Sequence, residues 1–162
     1  MSQLVVRAAC PDDMVALQDI FRRASWSNLD DRPVLTEHPE FLKLSDAGVQ
    51  EGRTRVALMA DATVGFATLS IGASVAELED LFVDPDWMRR GVASALIVDA
   101  KIQARTNGAA RIEVDANDHA MRFYESAGFL SLARIKLPHG TATRMVALVD
   151  RRCADPTDPT QR

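Results

Sequence analysis

The stretch that decides the fold is Leu78-Glu79-Asp80-Leu81-Phe82-Val83-Asp84-Pro85-Asp86-Trp87-Met88-Arg89-Arg90-Gly91-Val92-Ala93-Ser94-Ala95-Leu96. It reads as strand, tight loop and helix. Leu78, Leu81, Phe82 and Val83 are strand formers, and Pro85 stops the strand because it has no N–H to give to a ladder. Asp84-Pro85-Asp86 is turn chemistry. A helix follows from about Gly91, rich in Ala, Leu, Ile and Val. Small residues in the loop and first turn let an anion approach the backbone. The unpaired N–H groups there point at it, and the helix dipole favours its charge. Arg89 and Arg90 add charge-assisted hydrogen bonds. This is the chemistry of a phosphate or pyrophosphate cradle. It is not a P-loop, since no Gly-Lys-Ser/Thr follows, and it is not a dinucleotide fingerprint, since it holds one glycine.

Outward from this stretch, the chain reads as strands and helices in alternation. Residues 55–60 and 64–71 are strands joined by a short hairpin at Asp61-Ala62-Thr63. A turn around Gly72-Ala73-Ser74 leads into Val75–Val83, so three strands form an antiparallel meander. Upstream, Leu4–Ala8 is a first strand, and Cys10-Pro11-Asp12-Asp13 starts a helix with proline and acids in its opening turn. Met14, Leu17, Ile20, Phe21 and Ala24 recur at helical spacing and predict a core-facing stripe. Residues 25–39 read as a polar loop long enough for a binding or lid role, and residues 40–50 as a second helix. Downstream, the helix over 92–105 is apolar on more than one face and belongs against a sheet. Asn107-Gly108 ends it. Arg111–Ala116 is a strand, and the helix between it and Val83 permits the two strands to lie parallel.

A second informative segment is Asn117-Asp118-His119-Ala120-Met121-Arg122-Phe123-Tyr124-Glu125-Ser126-Ala127-Gly128-Phe129. Asn117 or Asp118 can cap a helix whose apolar positions are Ala120, Phe123, Tyr124 and Ala127. Gly128 ends it, with Phe129 folding back over the last turn. Residues 129–134 and 144–149 are strands paired around Pro138-His139-Gly140. Residues 150–162 are polar, with two prolines, and read as a disordered tail.

These two segments carry a family resemblance. Residues 84–96 resemble the acyl-CoA-binding segment of the GNAT superfamily of N-acetyltransferases, whose pattern Gln/Arg-x-x-Gly-x-Gly/Ala runs here as Met88-Arg89-Arg90-Gly91-Val92-Ala93. Met88 stands where Gln or Arg is usual. The second segment resembles the family pattern Asn-x-x-Ala-x-x-Phe-Tyr-Glu-x-x-Gly-Phe at each of those positions. The resemblance spans about residues 4–149. It implies one α/β domain over residues 1–149 with a mixed, twisted, splayed sheet and helices on both faces.

It also implies acetyl-CoA as co-substrate and direct attack by an amine, with no metal. Three tasks follow. The pyrophosphate falls to Met88, Arg89, Arg90, Gly91, Val92, Ala93 and Ser94. Pantetheine resembles a peptide and can pair with a strand edge; the family sets it along the positions of Leu81, Phe82 and Val83. The amine must lose a proton. At pKa about 10.4 only one lysine-like amine in roughly 2,500 is neutral at pH 7, a cost of about 4.6 kcal/mol that a general base partly recovers. Glu77 and Glu79, two apart on a strand, are the candidates, with Glu77 ranked first on the family's pattern and Asp115 a weaker one. Tyr124 is expected to protonate the departing thiolate. Asn117 has two open roles, a bond to pantetheine or the helix cap.

Size and composition agree. A chain of 162 residues suits one domain, and 47% hydrophobic with 26% charged residues suits a globular one. The net charge of −4 argues against a nucleic-acid surface. Cys10 and Cys153 make neither a metal spacing nor a disulfide framework, so a reducing cytoplasm is expected. No signal peptide or membrane-spanning run is read. The expected partner is a small-molecule or peptide amine, with a homodimer left open. The rival readings are a catalytically silent CoA-binding or partner-binding module and a nucleotide-binding regulator.

Overall fold

The computed structural model describes residues 3–138 and 140–149. Seven strands form one mixed sheet: β1 (Leu4–Ala8), β2 (Thr54–Met59), β3 (Ala62–Ile71), β4 (Val75–Val83), β5 (Arg111–Ala116), β6 (Leu130–Leu137) and β7 (Gly140–Leu148). Their order across the sheet is β1-β2-β3-β4-β5-β7-β6. Only β4 and β5 pair in parallel, as the intervening helix requires. The expected meander is present. The β2–β3 hairpin turns at Ala60 and Asp61, both at positive φ (50° and 64°), beginning one residue earlier than the hairpin read from the sequence. Such a turn matches the right-handed twist of its strands.

Five α-helices cover the sheet: α1 (Met14–Ser27), α2 (Arg32–Glu37), α3 (Ala47–Gln50), α4 (Val92–Thr106) and α5 (Met121–Ser126). α1 buries Leu17 and Ile20 against Val56 and Phe66, with Val49 of α3 in the same cluster. On the opposite face Val92, Leu96, Ile97, Ala100 and Ala104 of α4 meet Ala57, Val64, Leu78 and Ile112, and Tyr124 of α5 joins them. α1 therefore buries the stripe its spacing predicted, with Met14 and Phe21 packed beside Leu17 and Ile20. Gly65 on β3 permits the approach of α4, because a Cβ there would lie 2.9 Å from Val92 Cγ1 and from the Phe82 carbonyl oxygen.

Two expectations upstream of β2 need correction. Residues 25–39 are not an irregular loop: α1 runs on to Ser27, then a 3-10 turn (Leu29–Asp31) leads into α2. Residues 40–50 are not one helix either. A 3-10 turn (Pro39–Leu42) is separated from the four-residue α3. The local pattern was misleading because these turns are fixed from outside. Gln18 of α1 donates to the Leu42 carbonyl oxygen and accepts from the Leu44 N–H. Gly48 is pressed onto Thr54 and Thr68. The expected tail at residues 150–162, with Cys153, lies outside the described residues, as does His139.

One irregularity in β4 affects the site. Leu69 pairs with Leu78 and Thr68 with Asp80, which leaves Glu79 as the extra residue of a bulge. The alternation of faces shifts there. Ala76 and Leu78 point into the α4 core, as do Leu81 and Val83, whereas Phe82 joins the α1 side. A bulge commonly re-aims side chains in this way.

Candidate active site

β4 and β5 are paired from Val75–Arg111 to Glu77–Glu113, and the ladder ends there. β4 continues to Val83 and β5 to Ala116, so the sheet opens into a cleft of about 1030 Å³. The facing edges of both strands keep backbone groups available to an extended ligand. Of the site residues singled out from the sequence, all but Glu77 and Arg90 border this cleft.

The cradle closes one end. Asp84 caps a 3-10 turn (Pro85–Trp87) by accepting the Asp86 N–H at 2.9 Å. Arg89 then takes φ +61° and Gly91 φ +82° before α4 begins. A Cβ at Gly91 would meet nothing within 4 Å, so space is not what demands glycine there. The backbone conformation is, since a side-chain-bearing residue enters the left-handed region at a cost. Ala95 is the first amide bonded back to the Gly91 carbonyl oxygen. The N–H groups of Val92, Ala93 and Ser94 thus have no partner in the helix, and all three residues border the cleft. Arg89 borders it too. Arg90 turns away, its guanidinium 5.0 Å from the centre of the Trp87 ring.

The cradle is tied to α1 by a link that the sequence did not reveal. Arg23 donates to both oxygens of Asp84 at 2.8 and 2.7 Å, and its Nε donates to Asp19 at 2.8 Å. The guanidinium holds the Asp84 carboxyl below the usual carboxylate range. With the partners 61 positions apart in the chain, no local pattern could have paired them.

Tyr124 lies on the opposite wall. It is 7% exposed, its ring edge-to-face with Phe123 and Phe129 at 5.3 Å each. No hydrogen bond among the described residues involves its hydroxyl, and the oxygen is not sealed from the cleft. Burial pushes the phenol up to about 12, so it holds its proton at neutral pH. Asn117 borders the cleft and its side chain makes no cap bond. Asp118 makes none either, and instead accepts from Arg134 at 2.6 Å. The capping role read from the sequence is therefore absent at both positions, and the helix opens through a 3-10 turn (Asp118–Ala120).

The candidate bases separate. Glu79, the bulge residue, borders the cleft and accepts from Arg53 at 2.7 Å. Glu77 sits where β4 is still paired with β5 and is not on the cleft wall. Asp115 borders the cleft and is held by Arg144 at 2.9 and 3.2 Å. Asp80, next to Glu79, is raised by burial and sits against Thr68. Over the cleft, α1, the following turn and α2 contribute Ser25, Asn28, Asp31 and Leu35. Asn28 reaches across to His119 at 3.0 Å. The sequence reads this cover as a loop; it is helical, and it borders the cleft.

A split parallel pair with an anion cradle at the helix that follows defines a site for an elongated, phosphate-bearing ligand. The family comparison gives that class a name. Residues 43–145 match the model of the acetyltransferase (GNAT) domain, and the chain belongs to that family. It is an acyl-CoA-dependent N-acetyltransferase. Among curated proteins it is 29% identical over 110 residues to the glucosamine 6-phosphate N-acetyltransferase of Trypanosoma brucei brucei, covering 59% of this chain and 75% of that one. Among solved structures it is similar to Ard1 from Thermoplasma volcanium, with TM-score 0.70, 23% identity, and 91% and 98% of the two chains covered. It is also similar to the PaiA N-acetyltransferase from Thermoplasma acidophilum in complex with coenzyme A, with TM-score 0.70, 17% identity, and 90% and 99% covered. No helix among the described residues is long and apolar enough to cross a membrane.

Proposed function

We propose that the protein transfers an acetyl group from acetyl-CoA to an amine by direct attack within the β4–β5 cleft. The observation that carries this reading is the split itself, with the cradle beside it and, in its wall, a tyrosine hydroxyl that has no partner among the described residues. The N–H groups of Val92, Ala93 and Ser94, with Arg89, hold the pyrophosphate. The free edge of Leu81, Phe82 and Val83 pairs with pantetheine, and the Asn117 carboxamide bonds it from the other side. An N–H near Leu81 faces the carbonyl oxygen as its charge develops.

Glu79 takes the amine proton, directly or through one water, and Glu77 is the alternative. Glu79 is favoured because it borders the cleft. Tyr124 returns a proton to the thiolate. A phenol raised to about 12 stays protonated until the thiolate forms beside it. The test is CoA-thiol release by the pure protein with mixed amines. Release that depends on an amine and is lost in Tyr124→Phe is expected. Tight CoA binding with no release for any amine would mean a silent CoA-binding module.

A further inference from the structure

We infer that Arg23 is a positioning residue of the CoA cradle, which rests on the acetyltransferase reading above. Neither Arg23 nor the carboxylate it holds borders the cleft. Arg23 acts through Asp84, the residue that opens the turn between β4 and α4. That turn is strained: Arg89 sits at φ +61° and Gly91 at φ +82°. A residue with a side chain persists in the left-handed region only where its surroundings hold it there. What fixes this turn therefore decides whether the N–H groups of Val92, Ala93 and Ser94 are aligned before CoA arrives, and alignment in advance is affinity.

Three restraints come from backbone N–H groups at the start of the turn. The Asp84 N–H donates to the Val64 carbonyl oxygen at 2.8 Å, the Trp87 N–H to the Asp84 carbonyl oxygen at 2.8 Å, and the Asp86 N–H to Asp84 Oδ1 at 2.9 Å. A fourth comes from another layer of the fold. Arg23 Nη1 and Nη2 donate to the two Asp84 oxygens at 2.8 and 2.7 Å, the planar, bidentate geometry to which a guanidinium is suited. This fork sets the plane of the carboxylate and so aims Oδ1 at the Asp86 N–H. The fork is itself held. Its Nε donates to Asp19 at 2.8 Å, and α1 is pinned to the sheet by buried Leu17 and Ile20 and by Phe21, edge-on to Phe82 at 4.9 Å. Asp84 is 8% exposed, so loss of Arg23 leaves a carboxylate buried and without its counter-ion. It must then turn toward water or take up a proton, and either change weakens its hold on the Asp86 N–H. Trp87, the next residue, borders the cleft and carries the Arg90 guanidinium over its ring, so the disturbance passes into the cradle.

Calorimetry with acetyl-CoA, together with amine-dependent thiol release, decides the matter. Arg23→Ala is expected to raise the Kd and the KM for acetyl-CoA by about tenfold or more. Its kcat at saturating acetyl-CoA should stay near wild type, since the reacting groups are untouched. Asp84→Asn keeps an oxygen for the Asp86 N–H but loses the ion pair, and is expected to raise Kd and KM by about threefold or more. The two losses should not add in the double variant, because both remove one interaction. Arg22→Ala makes the same charge change one residue away, where the guanidinium meets Asp19 at 3.1 Å, and should leave Kd, KM and kcat unchanged. Unchanged acetyl-CoA affinity in Arg23→Ala overturns the inference, even if its unfolding temperature falls. So does a fall in kcat with KM kept, a double variant whose losses multiply, or an Arg22→Ala variant that loses as much. Should Arg23→Ala not fold, Asp84→Asn decides alone, and unchanged affinity there overturns the inference. Failure of the wild-type protein to bind acetyl-CoA would strike the acetyltransferase reading beneath it instead.

Discussion

At the cradle end of the cleft the groups that face a ligand are backbone N–H groups, fixed by Gly91 and the first turn of α4. Where α1, α2 and the bulge at Glu79 border the cleft they are side chains. The difference has a consequence for sequence change. A backbone cradle needs small residues and a suitable left-handed turn, here at Arg89 and Gly91, so Met88 can replace the residue usual in the family without removing any N–H. A wall of side chains changes its preference with each substitution. On the proposed reading, the first region defines the class of enzyme and the second its acceptor.

The sharpest way to break this contrast is Gly91→Glu. It adds a carboxylate beside the pyrophosphate site and forces a side chain onto φ +82°. CoA binding is expected to vanish while far-UV circular dichroism stays native. Unchanged CoA affinity by calorimetry would remove the cradle assignment.

Next in size is Tyr124→Phe, which keeps the ring packing and deletes the hydroxyl. Turnover is expected to fall by about 10²–10⁴-fold, the usual range for proton transfer, with KM for acetyl-CoA nearly unchanged. A wild-type kcat, with chemistry shown to limit the rate, would make Tyr124 a packing residue.

The two glutamates can be separated by pH profiles. Glu79→Gln is expected to lower kcat/KM at neutral pH, with partial recovery at high pH as the amine deprotonates unaided. Glu77→Gln should do much less. The reverse result would restore the order suggested by the family pattern.

At the cradle, Arg89→Ala should weaken CoA binding by about 1–3 kcal/mol if it makes a charged hydrogen bond. Arg90→Ala should cost less, because Arg90 is engaged with Trp87. Equal losses on titration would mean that Arg90 leaves the ring when CoA binds.

The smallest effect lies outside the cleft, where Arg7 donates to Asp13 at 2.8 and 3.0 Å and holds its carboxyl down at about 2. A carboxyl depressed in the folded state stabilises above its unfolded value near 3.9, and loses that contribution as pH falls toward the folded value. Asp13→Asn should therefore cost about 1–2 kcal/mol at pH 7, discounted for the exposed Arg7. The difference from wild type should shrink toward zero near pH 2, as read by denaturant titration.

The strands, α4 and the cradle were legible because their signals are local. Period-two runs, a proline at the end of β4 and small residues at the start of α4 each act within a few residues. β1, β4 and β5 accordingly have the bounds expected of them, and the parallel pairing of β4 with β5 followed from the helix between them. The helical cover was not legible. Residues 25–50 hold polar residues and prolines in no clear period, and their turns are set by Gln18 and by contact with the sheet.

The sequence by itself determined the order of the strands with α1, α4 and α5, the turn ahead of α4 and the tyrosine on α5, since local conformation and side-chain chemistry suffice for each. Only the tertiary structure decided that Glu79 rather than Glu77 borders the cleft, because a single-residue bulge shifts the alternation without any marker in composition. It also decided that Arg23 grips Asp84 and that Arg53 holds Glu79. Those are contacts between distant segments, and packing, not periodicity, brings them together.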